Sequence, residues 1–263
     1  MQIDPTVPVP QQIADRLRAR ITTGELRPGD RLPGERAYAE QLGVPRYSVA
    51  AAYQRLAALG LARTRRGTPQ HGWTVTVPRA PRVIDGARYA AEAQRLAAGD
   101  TEAWTHYTRD NGATWDDYRV QSFRDVGAPT DTEATQLAIE MSDRVIRRSM
   151  VEYLRGEPTQ LRVSVVPHGP RTEPLLHQSA RRVGGAMAEL WDLGIRADEC
   201  RHQITTRIAT DMEATQLELH SGVPVTDIAR TFFAAGDPVE YSVITMPAIG
   251  TVLEWTDTWG WPA

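Results

Sequence analysis

Residues 133–167, EATQLAIEMSDRVIRRSMVEYLRGEPTQLRVSVVP, align without a gap on residues 213–247, EATQLELHSGVPVTDIARTFFAAGDPVEYSVITMP, 80 positions further on. Ten of the thirty-five positions are identical, where ordinary composition gives roughly two or three. Thr130-Asp131 recurs as Thr210-Asp211. Each copy reads as a short helix over EATQL, a strand, a turn at Gly156 or Gly236, and a second strand ending at Pro167 or Pro247. Residues 120–128 and 200–208 supply a preceding strand to each copy. Two copies at this long period do not make a solenoid. They predict one α+β domain with an internal two-fold pseudo-symmetry. Between the copies, residues 175–194 are predicted helical, with an interruption at Gly184-Gly185.

The segment ahead of the repeat differs in charge and pattern. Residues 1–79 hold twelve arginines and six acids, a net +6, whereas residues 80–263 hold eighteen arginines and twenty-seven acids, a net −9. A basic module joined to an acidic one points to a head that binds a polyanion. In that head, Ile13, Leu17 and Ile21 recur every four residues, predicting a helix over 11–23 closed by Gly24. Pro33 leads into a second helix over about 34–42, burying Tyr38, Ala39 and Leu42 and broken by Gly43. A third, over 46–59, carries an apolar stripe of Val49, Tyr53, Leu56 and Leu59, leaving Arg46, Tyr47, Ser48, Ala50 and Gln54 on other faces. Two helices joined by so tight a turn match a helix-turn-helix, whose second helix enters the major groove of DNA. In LARTRRGTPQHGWTVTV, Gly67 and Gly72 bracket a hairpin loop that would form a wing, with Arg63, Arg65 and Arg66 suited to phosphates or a minor groove.

At 263 residues the chain accommodates two domains. We place a DNA-binding domain at 1–77, a linker and connecting helix at 78–99 (PRAPRV at 78–83, helix over 87–98), and the repeat-containing domain at 100–263. No apolar run approaches the roughly 20 residues that span a bilayer, and MQIDPTVPVP lacks the pattern of a signal peptide. The expected location is therefore the cytoplasm, away from membranes. A lone cysteine, Cys200, leaves no internal disulfide or multi-cysteine metal site. The six histidines are scattered without metal-binding spacing, and no nucleophile elbow, phosphate loop or dinucleotide fingerprint is present. Neither catalysis nor a cofactor is expected.

The order GELRPGDRLPGERAYAEQLGVPRYSV, RLAALGL, RRGTPQHGWTV resembles the winged helix-turn-helix domain of the GntR-type bacterial transcription regulators. The resemblance implies DNA contacts from Arg36, from Arg46, Tyr47 and Ser48 at the start of the recognition helix, and from the wing glycine, Gly67. Arg65 and Arg66 belong to the same wing. Many relatives carry an arginine where this chain has Ala50, so one common base contact is missing and a different operator is expected. The segments TDMEATQLEL, SGVPVTDIARTFFAAGDPVEYSV and RGEPTQLRVSVVP are similar to the effector-binding UTRA domain of HutC-type GntR regulators, which has the chorismate-lyase fold. That similarity implies a small-molecule pocket and homodimerisation. Glu240 and Ser164 match positions that line the pocket in relatives, and their repeat partners are Gln160 and Ile244. An aromatic found six residues after that acid in relatives is Met246 here. Arg162 and Arg207 are further candidates, since an anionic effector calls for a fork-shaped cation; surface salt bridging is their other reading.

The function expected is a ligand-responsive repressor that binds an inverted-repeat operator as a homodimer and senses a small-molecule effector. Two alternatives stand beside it: a constitutive DNA-binding protein whose body only dimerises, and a lyase-like enzyme with an appended DNA-binding module.

Overall fold

In the computed structural model the residues described are 4–64, 72–76, 82–85, 94–95, 97–99, 112–177, 185–220, 222–249 and 251–254. The chain divides into two compact units, Met1–Pro81 with Ile208–Pro224, and Arg82–Arg207 with Val225–Ala263.

In the first unit, α1 (Val9–Thr22) starts two residues before the predicted helix. Pro10 sits in its first turn, where a missing N–H breaks no intrahelical bond. Its four-residue repeat buries Ile13 and Leu17 completely, with Ala14 beside them. Gly24 follows the helix at φ +76°, the left-handed conformation that releases the chain into a turn. Next, α2 (Glu35–Leu42) buries Tyr38 and Ala39 and ends at the left-handed Gly43; Leu42 is only partly buried. After the turn, α3 (Arg46–Ala58) packs Val49, Ala52, Tyr53 and Leu56 into the same core.

Two expectations for α3 are corrected. Ser48, expected on an outward face, is buried at 2% exposure. It lies one turn before Ala52, so the 3.6-residue period carries it onto the inward stripe. Leu59, expected in that stripe, is exposed because the helix closes at Ala58, and Leu61 packs against the core instead. The hairpin predicted after α3 is present. Strands β1 (Ala62–Thr64) and β2 (Trp73–Val75) pair antiparallel, Thr64 opposite Trp73. The wing residues Arg65, Arg66 and Gly67 lie outside the described residues.

Most of the predicted linker and the 87–98 helix also lies outside them. Residues 82–83, read as linker, instead belong to β3 (Arg82–Asp85), which pairs in parallel with β10 (Thr251–Glu254). The main sheet has six strands in the order β4-β5-β6-β9-β8-β7. They are β4 (Tyr118–Gly127), β5 (Val145–Leu154), β6 (Glu157–Pro167), β7 (Glu199–Ile208), β8 (Pro224–Ala234) and β9 (Asp237–Pro247). The first three belong to one repeat copy and the last three to the other. They meet at the antiparallel β6–β9 pair, where Val163 lies opposite Val243, its own repeat equivalent. The repeat is reproduced in irregular detail. Bulges fall at Glu152/Tyr153 and Phe232/Phe233. The two-residue turns Arg155-Gly156 and Ala235-Gly236 have φ of +53° and +80°, and +53° and +89°. Positive φ at both central residues matches the twist of the flanking strands.

The recurring Thr-Asp that precedes each EATQL is explained by capping. In α4 (Asp131–Leu137), the Thr130 hydroxyl accepts from the Glu133 N–H at 3.3 Å, and the Glu133 carboxylate accepts from the Thr130 N–H at 2.8 Å. Thr210 and Glu213 repeat both bonds at the same distances. The region predicted helical between the copies holds a 3₁₀ turn at Glu173–Leu176 and α5 (Gly185–Asp192), with 178–184 outside the described residues.

Each box satisfies two otherwise orphan backbone donors in helices of seven and six residues, too short to form alone. Thr130→Ala and Thr210→Ala should therefore each cost about 1 kcal/mol. Urea unfolding of the two variants should show similar losses in midpoint at an unchanged m value.

Candidate functional site

The candidate recognition surface of the head lies at the N-terminal end of α3. Arg46 and Tyr47 project outward, with side-chain exposure of 71% for Arg46 and residue exposure of 72% for Tyr47. Arg46 is nevertheless held in place: its Nε and Nη2 donate to Glu35 Oε2 at 3.1 and 2.9 Å. The other oxygen, Oε1, accepts from the indole Nε1 of buried Trp73 at 3.2 Å. Tyr53 donates to the Pro33 carbonyl at 2.8 Å, tying α3 to the residues that precede α2. Burial, then Tyr38 and Glu35, push its phenol pKa up, so it stays a donor. Arg36 stands far into solvent in an exposed pair with Glu40 at 3.1 Å, a contact of little energetic weight.

In the body, alternation along the strands places polar residues in one row across one face of the sheet. The register runs Arg124 opposite Arg148, Arg148 opposite Ser164, Ser164 opposite Ser242, and Ser242 opposite Arg230. Arg148 Nη1 donates to Glu189 of α5, and Nη2 donates to Ser164 Oγ at 2.8 Å. Ser164 in turn donates to Glu240 Oε1. Arg162, two residues along β6, gives its Nε to Glu152 Oε1 at 2.8 Å, and Gln160 donates to the other Glu152 oxygen at 2.9 Å. Arg230 Nε donates to Ser242 Oγ at 2.7 Å.

Three buried cations, Arg148, Arg162 and Arg230, thus share one sheet face with the buried carboxylates Glu152 and Glu240, and Glu189 of α5 bonds Arg148 from the helix. Burial alone would pull the Arg162 pKa down, but Glu152, Tyr118, Glu240 and Glu189 outweigh it and the net shift is upward. Among the described residues two buried atoms of the cluster lack a hydrogen-bond partner, Arg148 Nε and Glu240 Oε2. Such atoms are uncommon in folded proteins, because leaving one unmade costs about 1–3 kcal/mol. The arrangement is suited to gripping a polar small molecule rather than activating a nucleophile. Burial pushes the neighbouring Cys200 thiol pKa up to about 12, against a lowering by Arg230 and with Glu240 and Glu199 adding to the rise. That thiol is protonated at neutral pH.

Ser164 and Glu240, separated by 76 residues, are therefore brought into direct contact, with Arg162 beside them. Arg207 is not. It forms a two-point ion pair with Asp227 at 2.7 and 3.2 Å. Asp227 has the opposite strand parity from Arg230 and so faces away from the row. Met246, where relatives carry an aromatic, is buried against Ile228 and Ile244. The sequence reading missed Arg148, Glu189, Arg230 and Ser242. For Arg148 a signal existed, since it shares the strand parity of the buried Ile146, Met150 and Leu154.

Residues 10–71 match the family described as bacterial regulatory proteins, gntR family, and residues 117–248 match the UTRA domain. The HTH-type transcriptional regulator Rv0792c of Mycobacterium tuberculosis is 29% identical over 243 residues, covering 90% of this chain and 81% of that protein. The HTH-type transcriptional regulator Mce2R, from the same species, is 44% identical over 59 residues. That match takes in 22% of this chain and 25% of Mce2R, so the shared region spans about a quarter of that relative. A crystal structure of a GntR-family regulator superposes with a TM-score of 0.56 at 23% identity, covering 96% of this chain and 98% of that one. The chain belongs to the GntR family of bacterial regulatory proteins, with a UTRA domain of the kind found in HutC-type members. Among the described residues no helix is long and apolar enough to cross a membrane.

Arg148 neutralises two buried carboxylates at once, Glu189 by direct hydrogen bond and Glu240 at 3.8 Å. Arg148→Met should therefore destabilise the body by about 3–5 kcal/mol, because it leaves charge buried without a partner. Chemical denaturation followed by the body's tryptophans reads this, and a loss below about 1 kcal/mol would be incompatible with the network described.

Proposed function

We propose that the protein is a ligand-responsive repressor acting as a homodimer on an inverted-repeat operator, each head binding one half-site through the N-terminal end of α3. Supporting the DNA reading are the net +6 of residues 1–79 and the outward Arg46 and Tyr47. Arg36 and the wing residues Arg65 and Arg66 take the flanking phosphates; Ser48, being buried, is not assigned a contact. Binding selected duplexes should weaken steeply with salt as condensed counterions are released. Arg46→Ala should cost about 1–3 kcal/mol on the selected duplex and relax its sequence preference. Fluorescence anisotropy against selected and scrambled duplexes decides this, and equal affinity for both would defeat the reading. Transcription in vitro from a promoter carrying the selected site tests repression; activation would reverse that part.

The observation that carries the effector reading is Glu240, fully buried, with one oxygen held by Ser164 and the other unpartnered among the described residues. The effector is accordingly a small molecule that offers a hydroxyl or ammonium donor to Glu240 Oε2. The body binds it without turnover, and preference for one dimer arrangement couples binding to operator release by about 1–3 kcal/mol. Thermal-shift screening of polyols, sugars and amines, followed by operator release with each hit, is the test. Glu240→Gln should reduce the response at least about tenfold while operator binding persists, since one tenfold step corresponds to 1.4 kcal/mol. Stabilising hits that act equally on wild type and variant would place the pocket elsewhere. No hits at all would favour the body as a dimerisation scaffold, a reading to which the buried Met246 lends itself.

A further inference from the structure

We infer that Glu35 and Trp73 are positioning residues for Arg46, holding its guanidinium in a fixed pose with one edge turned outward for a base. The inference rests on the proposal that Arg46 reads the operator, and it concerns how that reading is made specific.

Arginine side chains that project from a helix sample many rotamers, and ordering one at an interface costs about 0.5–1.5 kcal/mol. Arg46 is 71% exposed, yet its side-chain partner, Glu35, is only 11% exposed. A single oxygen, Oε2, receives both Nε and Nη2. The remaining edge of the guanidinium, formed by Nη1 and the second proton of Nη2, is the edge that can reach O6 and N7 of a guanine. Glu35 is fixed in turn, because the Trp73 indole donates to Oε1. That indole lies 3% exposed, edge-on to Tyr53 at 5.7 Å between ring centroids. The carboxylate therefore accepts at both ends, from a rigid buried donor on one side and from the reading arginine on the other. A glutamine cannot do this: with its carbonyl toward Arg46, its amide N–H₂ meets the Trp73 N–H donor to donor.

The sign of the predicted effect separates positioning from simple electrostatics. Glu35 is an acid beside a DNA-binding arginine, so removing its charge should, by field alone, strengthen binding to any duplex. Positioning requires the reverse on the selected duplex.

The test is a double-mutant cycle with Glu35→Gln and Arg46→Ala on the full chain. It uses the tightest duplex selected by the wild type from a random pool, that duplex with single guanines replaced by 7-deazaguanine, and a scrambled duplex. Glu35→Gln should weaken the selected duplex about five- to tenfold without weakening the scrambled one. It should also shrink the penalty for the one 7-deazaguanine to which Arg46→Ala is itself insensitive, and have no further effect in the Arg46→Ala background. Trp73→Phe, which keeps the ring and removes the N–H, should move the same readouts in the same direction. Thermal melting of each variant separates loss of fold from loss of reading. Unchanged or tighter binding of the selected duplex by a folded Glu35→Gln protein overturns the inference while leaving Arg46 as a reader. So does a loss that persists in the Arg46→Ala background. An Arg46→Ala protein with wild-type affinity and preference overturns the reading beneath it as well.

Discussion

In the body, much depends on the antiparallel pairing of β6 with β9. Each repeat copy contributes three strands, and neither would have a protected inner edge without the other. Joining them at Val163 and Val243 closes one six-stranded sheet about a local two-fold. The pairing also fixes what lies on either side of the axis. Ser164 faces Ser242, and Glu240 comes within hydrogen-bonding reach of Ser164. A one-residue slip would turn every side chain of β9 to the opposite face and dismantle the cluster. The register is thus a constraint shared by the core and the candidate pocket.

The buried polar face of the sheet departs from the symmetry that the backbone keeps. Arg148, Arg162 and Ser164 correspond through the repeat to Ile228, Ser242 and Ile244. One half thus carries most of the charge, while the other carries more apolar residues along with Glu240 and Arg230. Buried ion pairs of this density do not favour stability over a packed apolar core. Among the described residues, two atoms on that face, Arg148 Nε and Glu240 Oε2, have no hydrogen-bond partner.

In the head the same economy of contacts appears on a smaller scale. A basic surface suffices to attract DNA, but discrimination depends on the pose of a few donors. Glu35 and Trp73 come from α2 and β2, whereas Arg46 opens α3. Their meeting therefore depends on the packing of the hairpin and the helix pair around Tyr53.

Much of this was legible from residues alone. The apolar period of α1 to α3, the turns at Gly24 and Gly43, the wing hairpin and the duplicated α–β–β units follow from local pattern. The capping boxes were legible too but went unread: a threonine three residues before a glutamate satisfies the same donors in any helix start. Ser48 was misassigned although its period placed it inward, since a small polar side chain carries no hydrophobic signal of its own. Of the residues named as effector candidates, Ser164, Glu240 and Arg162 lie together, whereas Arg207 forms the salt bridge that was its other reading. Strand parity sends Arg207 to Asp227 on the other face, and local sequence does not state which strands become neighbours. The amino-acid sequence by itself determined the elements, their order and the duplication, because these depend on interactions a few residues apart. Only the tertiary structure decided which distant side chains meet. Arg148 with Glu189, Ser164 with Glu240, Arg46 with Glu35, and Glu35 with Trp73 are separated in sequence by 41, 76, 11 and 38 positions, and packing in space alone brings them together.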